Sequence, residues 1–462
     1  MLTYLKGAII SVLDHPTYGF CESPCFSGPL SGFIEFSELL EVKKTSVLTV
    51  VGLTGAFGSG CTTASHILRD ERNFSLIRLS ALIEEQWQQR SLDSDIERLA
   101  TRQDLQQLGD ELREKHGPGF LARLATKRIH DQSTKGMDSF VIDGIRNTHE
   151  IREFQDAFGY NFTLIAVLAD FEERWRRIGA DAYKNKGLGL QDFLLDDARD
   201  RDEEIPTGQQ VELCIDRADA VIDNSSTVTR REFEKKLLDL TDLIIGKKPR
   251  RATMHEIYMN IAYTAALSSK CIKRNVGAVV VGESEKIVGV GYNENPISTH
   301  PCIEEPEYEF KCFRDIVRNR HFKILRERGV RCPVCGQPLG DKPGPPWRCE
   351  ACAKSESKTK TNLEALFFPD RALNWCTAIH AEVRAIFAAG AQARRGRLYT
   401  TTFPCFQCAE KIIESGISAV QYTEAYPDTE GEFRLKLANV SLTRFEGIRS
   451  ASFERLFGPT RT

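Results

Sequence analysis

The chain predicts an α/β protein of at least two domains, and three stretches predict it. The first is a buried-strand pattern, Val47-Leu48-Thr49-Val50-Val51-Gly52-Leu53, running into a glycine-rich loop and then a helical segment. The second is His380-Ala381-Glu382, a helix-like run, and then Pro404-Cys405-Phe406-Gln407-Cys408. The third is a pair of C-x-x-C knuckles, Cys332/Cys335 and Cys349/Cys352, set among glycines and prolines. With 462 residues the chain is long enough to bury two or three separate cores.

Composition narrows the class. A formal net charge of -3 argues against a generally basic nucleic-acid-binding surface. No apolar run approaches the roughly 20 residues of a membrane span. Met1–Leu13 holds one lysine and a short apolar patch with no clean cleavage site after it, so a cytoplasmic protein without a membrane partner is expected. Of the 14 cysteines, six fall in C-x-x-C pairs suited to metal, which agrees with a reducing compartment.

Residues 1–45 read as an irregular extension punctuated by Pro16, Gly19, Pro24, Gly28, Pro29 and Gly32. From Ser46 the strand leads into Gly55-Ala56-Phe57-Gly58-Ser59-Gly60-Cys61-Thr62-Thr63 and a helix through Leu68. Strand, glycine loop, helix is the setting in which backbone N–H groups hold phosphate. The spacing G-x-x-x-x-G-K-[ST] fits at every position but one, since Cys61 stands where the lysine belongs. Gly55, Gly58, Ser59, Gly60, Cys61 and Thr62 are the candidate nucleotide contacts, with Thr62 in reach of a Mg²⁺. What is missing is the cation that stabilises charge on a transferring phosphoryl group. Phe140–Asn147, Phe162–Leu168 and Ala220–Asn224 read as further strands, and Arg174, Arg176 and Arg177 lie on a helix that could close over phosphates. Strands alternating with helices give a parallel sheet. Residues 46–246, including Asp143-Gly144-Ile145-Arg146-Asn147, resemble the nucleoside-monophosphate-kinase branch of P-loop proteins. Cys61 shifts the expectation from phosphoryl transfer to nucleotide binding or scaffolding. Gly246-Lys247-Lys248-Pro249-Arg250-Arg251 reads as a solvated linker or a phosphate contact.

Residues 252–462 form the second predicted domain. A helix over His255–Ser268 precedes strands at Asn275–Val281 and Lys286–Asn293; strands at Arg397–Thr401 and Ala419–Tyr422 bracket the second cysteine pair. A catalytic zinc needs three protein ligands and one open position. His380 supplies an imidazole, and Cys405 and Cys408, three apart at a helix start, place two thiolates on one face. Two thiolates neutralise the metal's charge, so a base must share the proton work. Glu382 is that base and not a fourth ligand. H-x-E followed by P-C-x-x-C is the signature of zinc nucleobase deaminases. The element order resembles the cytidine-deaminase fold, a mixed sheet between helices, and Gly291-Tyr292-Asn293 with Pro404–Cys408 and Tyr422 resembles the deoxycytidylate deaminases. That resemblance implies Asn293 against the sugar or base, Ala381 against the ring, Tyr422 and Phe403 as pocket walls, and Lys270, Lys273 or Arg274 near the phosphate. It also admits an additional zinc among Cys271, Cys302, Cys312 and Cys376. The four cysteines at about 330–354 are expected to form a zinc ribbon, whose four thiolates leave no open position and make the metal structural.

The fold class expected is therefore α/β: a P-loop kinase-like parallel-sheet domain, then a cytidine-deaminase-like α/β/α domain with a zinc-ribbon insertion. This fused order resembles the bacterial anti-phage deoxycytidine-nucleotide deaminases. It implies depletion of dCMP and dCTP during infection, with a small RNA as a restraining partner in some members; a homo-oligomer is expected. The function expected is zinc-dependent hydrolytic deamination of dCMP and/or dCTP. Two alternatives stand beside it. A polynucleotide cytidine deaminase needs a basic channel and stacking aromatics, against which the net acidity counts. A bifunctional nucleotide kinase/deaminase is opposed by Cys61.

Overall fold

The computed structural model describes residues 48–93, 102–178, 189–190, 193, 210–225, 228–296, 299–332, 336–339, 376–424 and 429–457. The N-terminal extension and Cys335, Cys349 and Cys352 lie outside the described residues.

The first core is built from β1 (Thr49–Thr54), α1 (Cys61–Arg72), β2 (Ser75–Arg78), α2 (Leu79–Asp93), α3 (Arg102–His116), α4 (Phe120–Ser133), β3 (Ser139–Asp143), α5 (Thr148–Phe158), β4 (Phe162–Leu168), α6 (Phe171–Ile178), α7 (Val211–Asp216), β5 (Ala220–Asp223) and α8 (Arg230–Ile244). These five strands run parallel in the order β5-β4-β1-β3-β2. A parallel sheet covered by helices is buried on both faces, which is why β1 reads as a continuous apolar run. Val50 joins the cluster of Phe140, Phe154 and Ile142 on one face, while Val51 and Leu53 join Ile67, Ile165 and Phe233 on the other. β1 lies between β3 and β4, so the chain leaves its carboxyl end at the point where the strand order reverses. That crevice is where open α/β sheets bind ligands.

The second core comprises α9 (Met254–Ala266), β6 (Gly277–Val281), β7 (Ile287–Tyr292), α10 (Phe313–Glu327), α11 (Ala381–Ala389), β8 (Arg397–Thr402), α12 (Phe406–Ser415), β9 (Ala419–Glu424), α13 (Thr429–Leu437) and β10 (Ser441–Arg444). Its sheet is mixed, in the order β10-β9-β8-β6-β7, with β6 antiparallel to both neighbours and β8, β9 and β10 parallel. Tyr258, Met259 and Ala262 of α9 pack on one face, and α11 and α12 pack on the other through Ala385, Ala409 and Ile412. Gly291 sets the height of α11 above β7. A Cβ there would stand 2.3 Å from the Ala381 oxygen and 2.5 Å from the Ala385 nitrogen.

After β10 the chain crosses back. β11 (Gly447–Ile448) pairs antiparallel with β5, and α14 (Ser450–Phe457) follows it. Ile448 and Leu456 belong to the core of the first sheet. Residues 47–462 accordingly form one compact unit. The linker is pinned at Arg250, whose guanidinium bonds both Glu256 carboxylate oxygens at 2.7 Å and lies 5.2 Å from the Phe457 ring centre. Among the described residues no helix is long and apolar enough to cross a membrane.

Candidate metal centre and glycine loop

His380 is the N-cap of α11 and Cys405 the N-cap of α12, with Cys408 in the first turn of α12. Both helices therefore aim their positive ends at one point, which favours thiolate. The His380 Nδ1 lies 3.2 Å from Cys408 Sγ and 3.4 Å from Cys405 Sγ. Tetrahedral zinc bonds of about 2.0–2.3 Å separate neighbouring ligand atoms by roughly 3.5 Å. The three ligand atoms lie within 4.8 Å of one another, and this is the metal-competent group of His, Cys, Asp and Glu found among the described residues.

The two thiols shift in opposite directions, the hydrogen bond with Cys405 and then burial raising that of Cys408 well above its usual range. The hydrogen bond with Cys408, together with His380 and against the opposing effect of burial, holds the Cys405 thiol down at about 4. Burial disfavours a charged His380, yet hydrogen bonds with Cys376 and Cys405 and the charge of Glu382 outweigh it and lift the imidazole to about 11. A thiolate beside a protonated imidazole is a site whose proton a divalent metal would displace. Imidazole and two thiolates are a zinc donor set with one position open.

Glu382 stands beside this group and not within it. Its side chain is buried, its Oε2 lies 3.5 Å from Cys408 Sγ, and burial pushes its carboxyl above the usual range. Ala381 is fully buried at the start of α11. The Asn293 amide spans two strands: its oxygen accepts from Val276 N at 2.7 Å and its Nδ2 donates to Arg274 O at 2.9 Å. Tyr422 meets Phe403 edge-on with ring centres 4.7 Å apart. Of the basic residues expected near the phosphate, Lys270 pairs with Glu304 and Lys273 with Asp315, each at 2.7 Å. Cys376, expected only as a further zinc ligand, instead hydrogen-bonds His380. Sequence reasoning missed Arg384, which donates to the Asn295 carbonyl at 2.7 Å and lies 5.7 Å from the Tyr292 ring centre, tying the end of β7 to α11. One arginine in a helix gave no signal of that contact.

Of the ribbon cysteines Cys332 is described. It is buried, with Cys332 N donating to Gln337 O and Gly336 N to Cys332 O, each at 2.8 Å. Cys335, Cys349 and Cys352 fall outside the described residues.

In the glycine loop, Gly58 and Gly60 take φ of 86° and 109°. The Thr62 hydroxyl donates to Asp143 Oδ2 at 3.0 Å, bringing together the side chains that a phosphate-bound Mg²⁺ would use. Cys61 turns back under the loop to within 3.6 Å of Ser59 Oγ. Burial, reinforced by the charge of Asp143, pushes its thiol up to about 12, so the lysine position is neutral. The arginines expected to close over phosphates bind the loop itself. Arg174 donates to Phe57 O at 3.2 Å and Arg177 to Ser59 O at 3.3 Å, while Arg176 pairs with Glu173 at 2.6 Å.

Residues 252–424 match the family of the cytidine and deoxycytidylate deaminase zinc-binding region. The deoxycytidylate deaminase of Saccharomyces cerevisiae is 28% identical over 198 residues, 42% of this chain and 46% of that protein. That of Schizosaccharomyces pombe is 26% identical over 231 residues, 49% of this chain and 54% of that protein. The chain thus spans about half the length of these two relatives. A UPF0200 protein of Halobacterium salinarum is 29% identical over 181 residues, 39% of this chain and 87% of that protein. Among solved structures, the dCMP deaminase of cyanophage S-TIM5 with dCMP and dUMP is similar at 19% identity and a TM-score of 0.25, covering 42% of this chain and 99% of that one. Over residues 252–424, then, the chain is similar to the zinc-binding region of the cytidine and deoxycytidylate deaminases, and its N-terminal part is similar to UPF0200 proteins.

Proposed function

We propose that the chain hydrolyses the exocyclic C–N bond of free deoxycytidine nucleotides, dCMP and/or dCTP, giving deoxyuridine nucleotides and ammonia. The observation that carries this reading is the buried carboxyl of Glu382 beside the convergent His380, Cys405 and Cys408. His380, Cys405 and Cys408 would hold the zinc, which would supply a Lewis acid to make water nucleophilic at neutral pH. Glu382 takes one proton of the water as its oxygen bonds to C4 and delivers it to N3 of cytosine; it then takes the second proton from the C4 hydroxyl and passes it to the amino group, whose bond to C4 breaks. The amino nitrogen leaves as ammonia, and the oxygen of water stays on the ring. A carboxyl raised by burial is suited to holding and returning a proton at each stage.

Asn293 and Ala381 are assigned to sugar and ring, with Tyr422 and Phe403 closing the side of the pocket. Cys332, Cys335, Cys349 and Cys352 are assigned to a structural zinc. The glycine loop is assigned to a nucleotide with Mg²⁺ and not to phosphoryl transfer, because the buried Cys61 thiol offers no positive charge. Depletion of dCMP and dCTP during infection, with a small RNA as a restraining partner as in some members, is what the resemblance of the tandem order implies.

The test is to incubate the purified protein separately with dCMP, dCTP, CMP, CTP and single-stranded DNA, and with dCMP plus ATP, following ammonia and ADP. Ammonia from dCMP or dCTP is the expected result. Ammonia from single-stranded DNA alone would replace this reading with polynucleotide editing. ADP formation that depends on dCMP would make the enzyme bifunctional.

A further inference from the structure

The crossing from β10 to β11 carries one side chain that lies between the surroundings of both candidate sites. Arg444 is the last residue of β10 and the cross-strand partner of Tyr422. Its guanidinium lies 5.9 Å from the centre of the Tyr422 ring, and Tyr422 packs on Phe403, two residues before the ligand Cys405. The same guanidinium pairs with Asp170 at 3.1 Å and with Asp223 at 3.3 Å, and approaches Ser225 Oγ at 3.4 Å. Both aspartates belong to the first core, at the carboxyl ends of its strands.

Asp223 is joined in turn to the glycine loop. Its neighbour Asn224 donates from Nδ2 to the Ser59 carbonyl at 2.8 Å, and Arg177 donates to both the Asn224 carbonyl at 2.6 Å and the Ser59 carbonyl at 3.3 Å. The Arg444 side chain is only 10% exposed, and that of Asp223 15%. A guanidinium this far from water keeps Asp223, since parting the two strands a charge, whereas Asp170 is half exposed. Movement of Asp223 and Asn224 therefore moves Arg444 and the ring beneath it.

We infer that Arg444 is a positioning residue through which an anion on the glycine loop changes the pocket beside the metal centre. The moving part is Arg177, which donates to the Ser59 and Asn224 carbonyls and pairs with Glu173 at 2.8 Å. Phosphate oxygens on the loop's N–H groups would offer it a further charge-assisted partner and draw it from Ser59 and Asn224. Asp223 then shifts, and Arg444 resets Tyr422. The inference rests on the functional reading above, both for nucleotide on the loop and for deoxycytidine nucleotide beside Tyr422.

The test measures binding alone. In full-length protein carrying Glu382→Ala, so that dCMP is not consumed, the affinity for magnesium ATP is determined by calorimetry with and without saturating dCMP. Linkage requires each ligand to change the other's affinity by one factor, and a change of about fivefold or more is expected. Adding Arg444→Met should bring the factor below about twofold, and Arg444→Lys, which keeps a charge for one aspartate, should restore part of it. Asp223→Asn, with Arg444 intact, should uncouple the sites as Arg444→Met does and serves should that variant fail to fold; zinc content and thermal unfolding report on folding. If both ligands bind and the factor is one, or if it survives in Arg444→Met and Asp223→Asn, the inference is overturned and the functional reading stands. Failure of ATP to bind removes the glycine-loop assignment, failure of dCMP to bind removes the substrate assignment, and either removes this inference as well.

Discussion

Glu382 differs from its three neighbours in what it lacks, a place in the ligand set, and in where it sits, buried at the first turn of α11 with Cys408 beside it. Removing it should therefore separate chemistry from metal. Glu382→Ala is expected to lower turnover of dCMP by about 10²–10⁴-fold, the usual contribution of a general acid–base group, with zinc content unchanged. A variant that keeps a third of wild-type turnover, or that loses its zinc, would contradict the proton-transfer role. At this scale the sequence was informative where one short motif holds the geometry. His380 was joined to Cys405 and Cys408 through the H-x-E and P-C-x-x-C motif, and the structure sets each of them at a helix start. Cys376 on His380 and Arg444 on Tyr422 were illegible, because each contact depends on how segments apart in sequence fold onto one another.

Elements with apolar runs were legible and short polar ones were not. The strands expected at Val47–Leu53, Phe140–Asn147, Phe162–Leu168 and Asn275–Val281 appear as β1, β3, β4 and β6, with ends moved by a few residues. β2, β10 and β11 escaped notice because they are two to four residues long, and β10 alternates exposed and half-buried positions. The fit of α11 on β7 gives one prediction. Gly291→Ala forces a methyl against the Ala381 carbonyl, and overpacking of this kind costs about 1–3 kcal/mol. Because Ala381 sits between His380 and Glu382, thermal unfolding should occur earlier and zinc should bind more weakly; unchanged values for both would mean the helix has room to retreat. The ribbon gives a second. If Cys332 and its three expected partners hold a metal, protein prepared without chelator carries two zinc ions per chain, and Cys332→Ser carries one. A stoichiometry of one in the parent would remove the ribbon.

For the whole molecule the sequence suggested two bodies and a solvated linker; residues 47–462 are one unit, in which the chain returns from the second sheet to add β11 and α14 to the first. Nothing in the run Ser441–Phe457 announces this, since its pieces are short and the strand partner of β11 is more than 200 residues away, as is the Ile215 carbonyl that accepts from Arg449. Glu256 holds the junction. Its carboxylate accepts from Arg250, from Thr253 N at 2.8 Å and from Ile448 N at 2.9 Å, joining linker, α9 and β11. Burial raises its pKa, but the Arg250 hydrogen bond and the two backbone N–H groups outweigh burial and hold it below the usual carboxylate range. The sign follows from linkage. A carboxyl depressed in the folded state stabilises the fold above its unfolded value of about 4.3, and that stabilisation is lost as pH falls through the folded value. Comparing thermal unfolding of the parent with Glu256→Gln across pH isolates this group from the other titrating carboxyls. The variant should unfold several degrees earlier at pH 7, and the gap should narrow steadily below about pH 4 as the parent's carboxyl gains its proton. A gap that is constant with pH would mean that Gln loses packing and not charge, and that the junction is held by β11 alone.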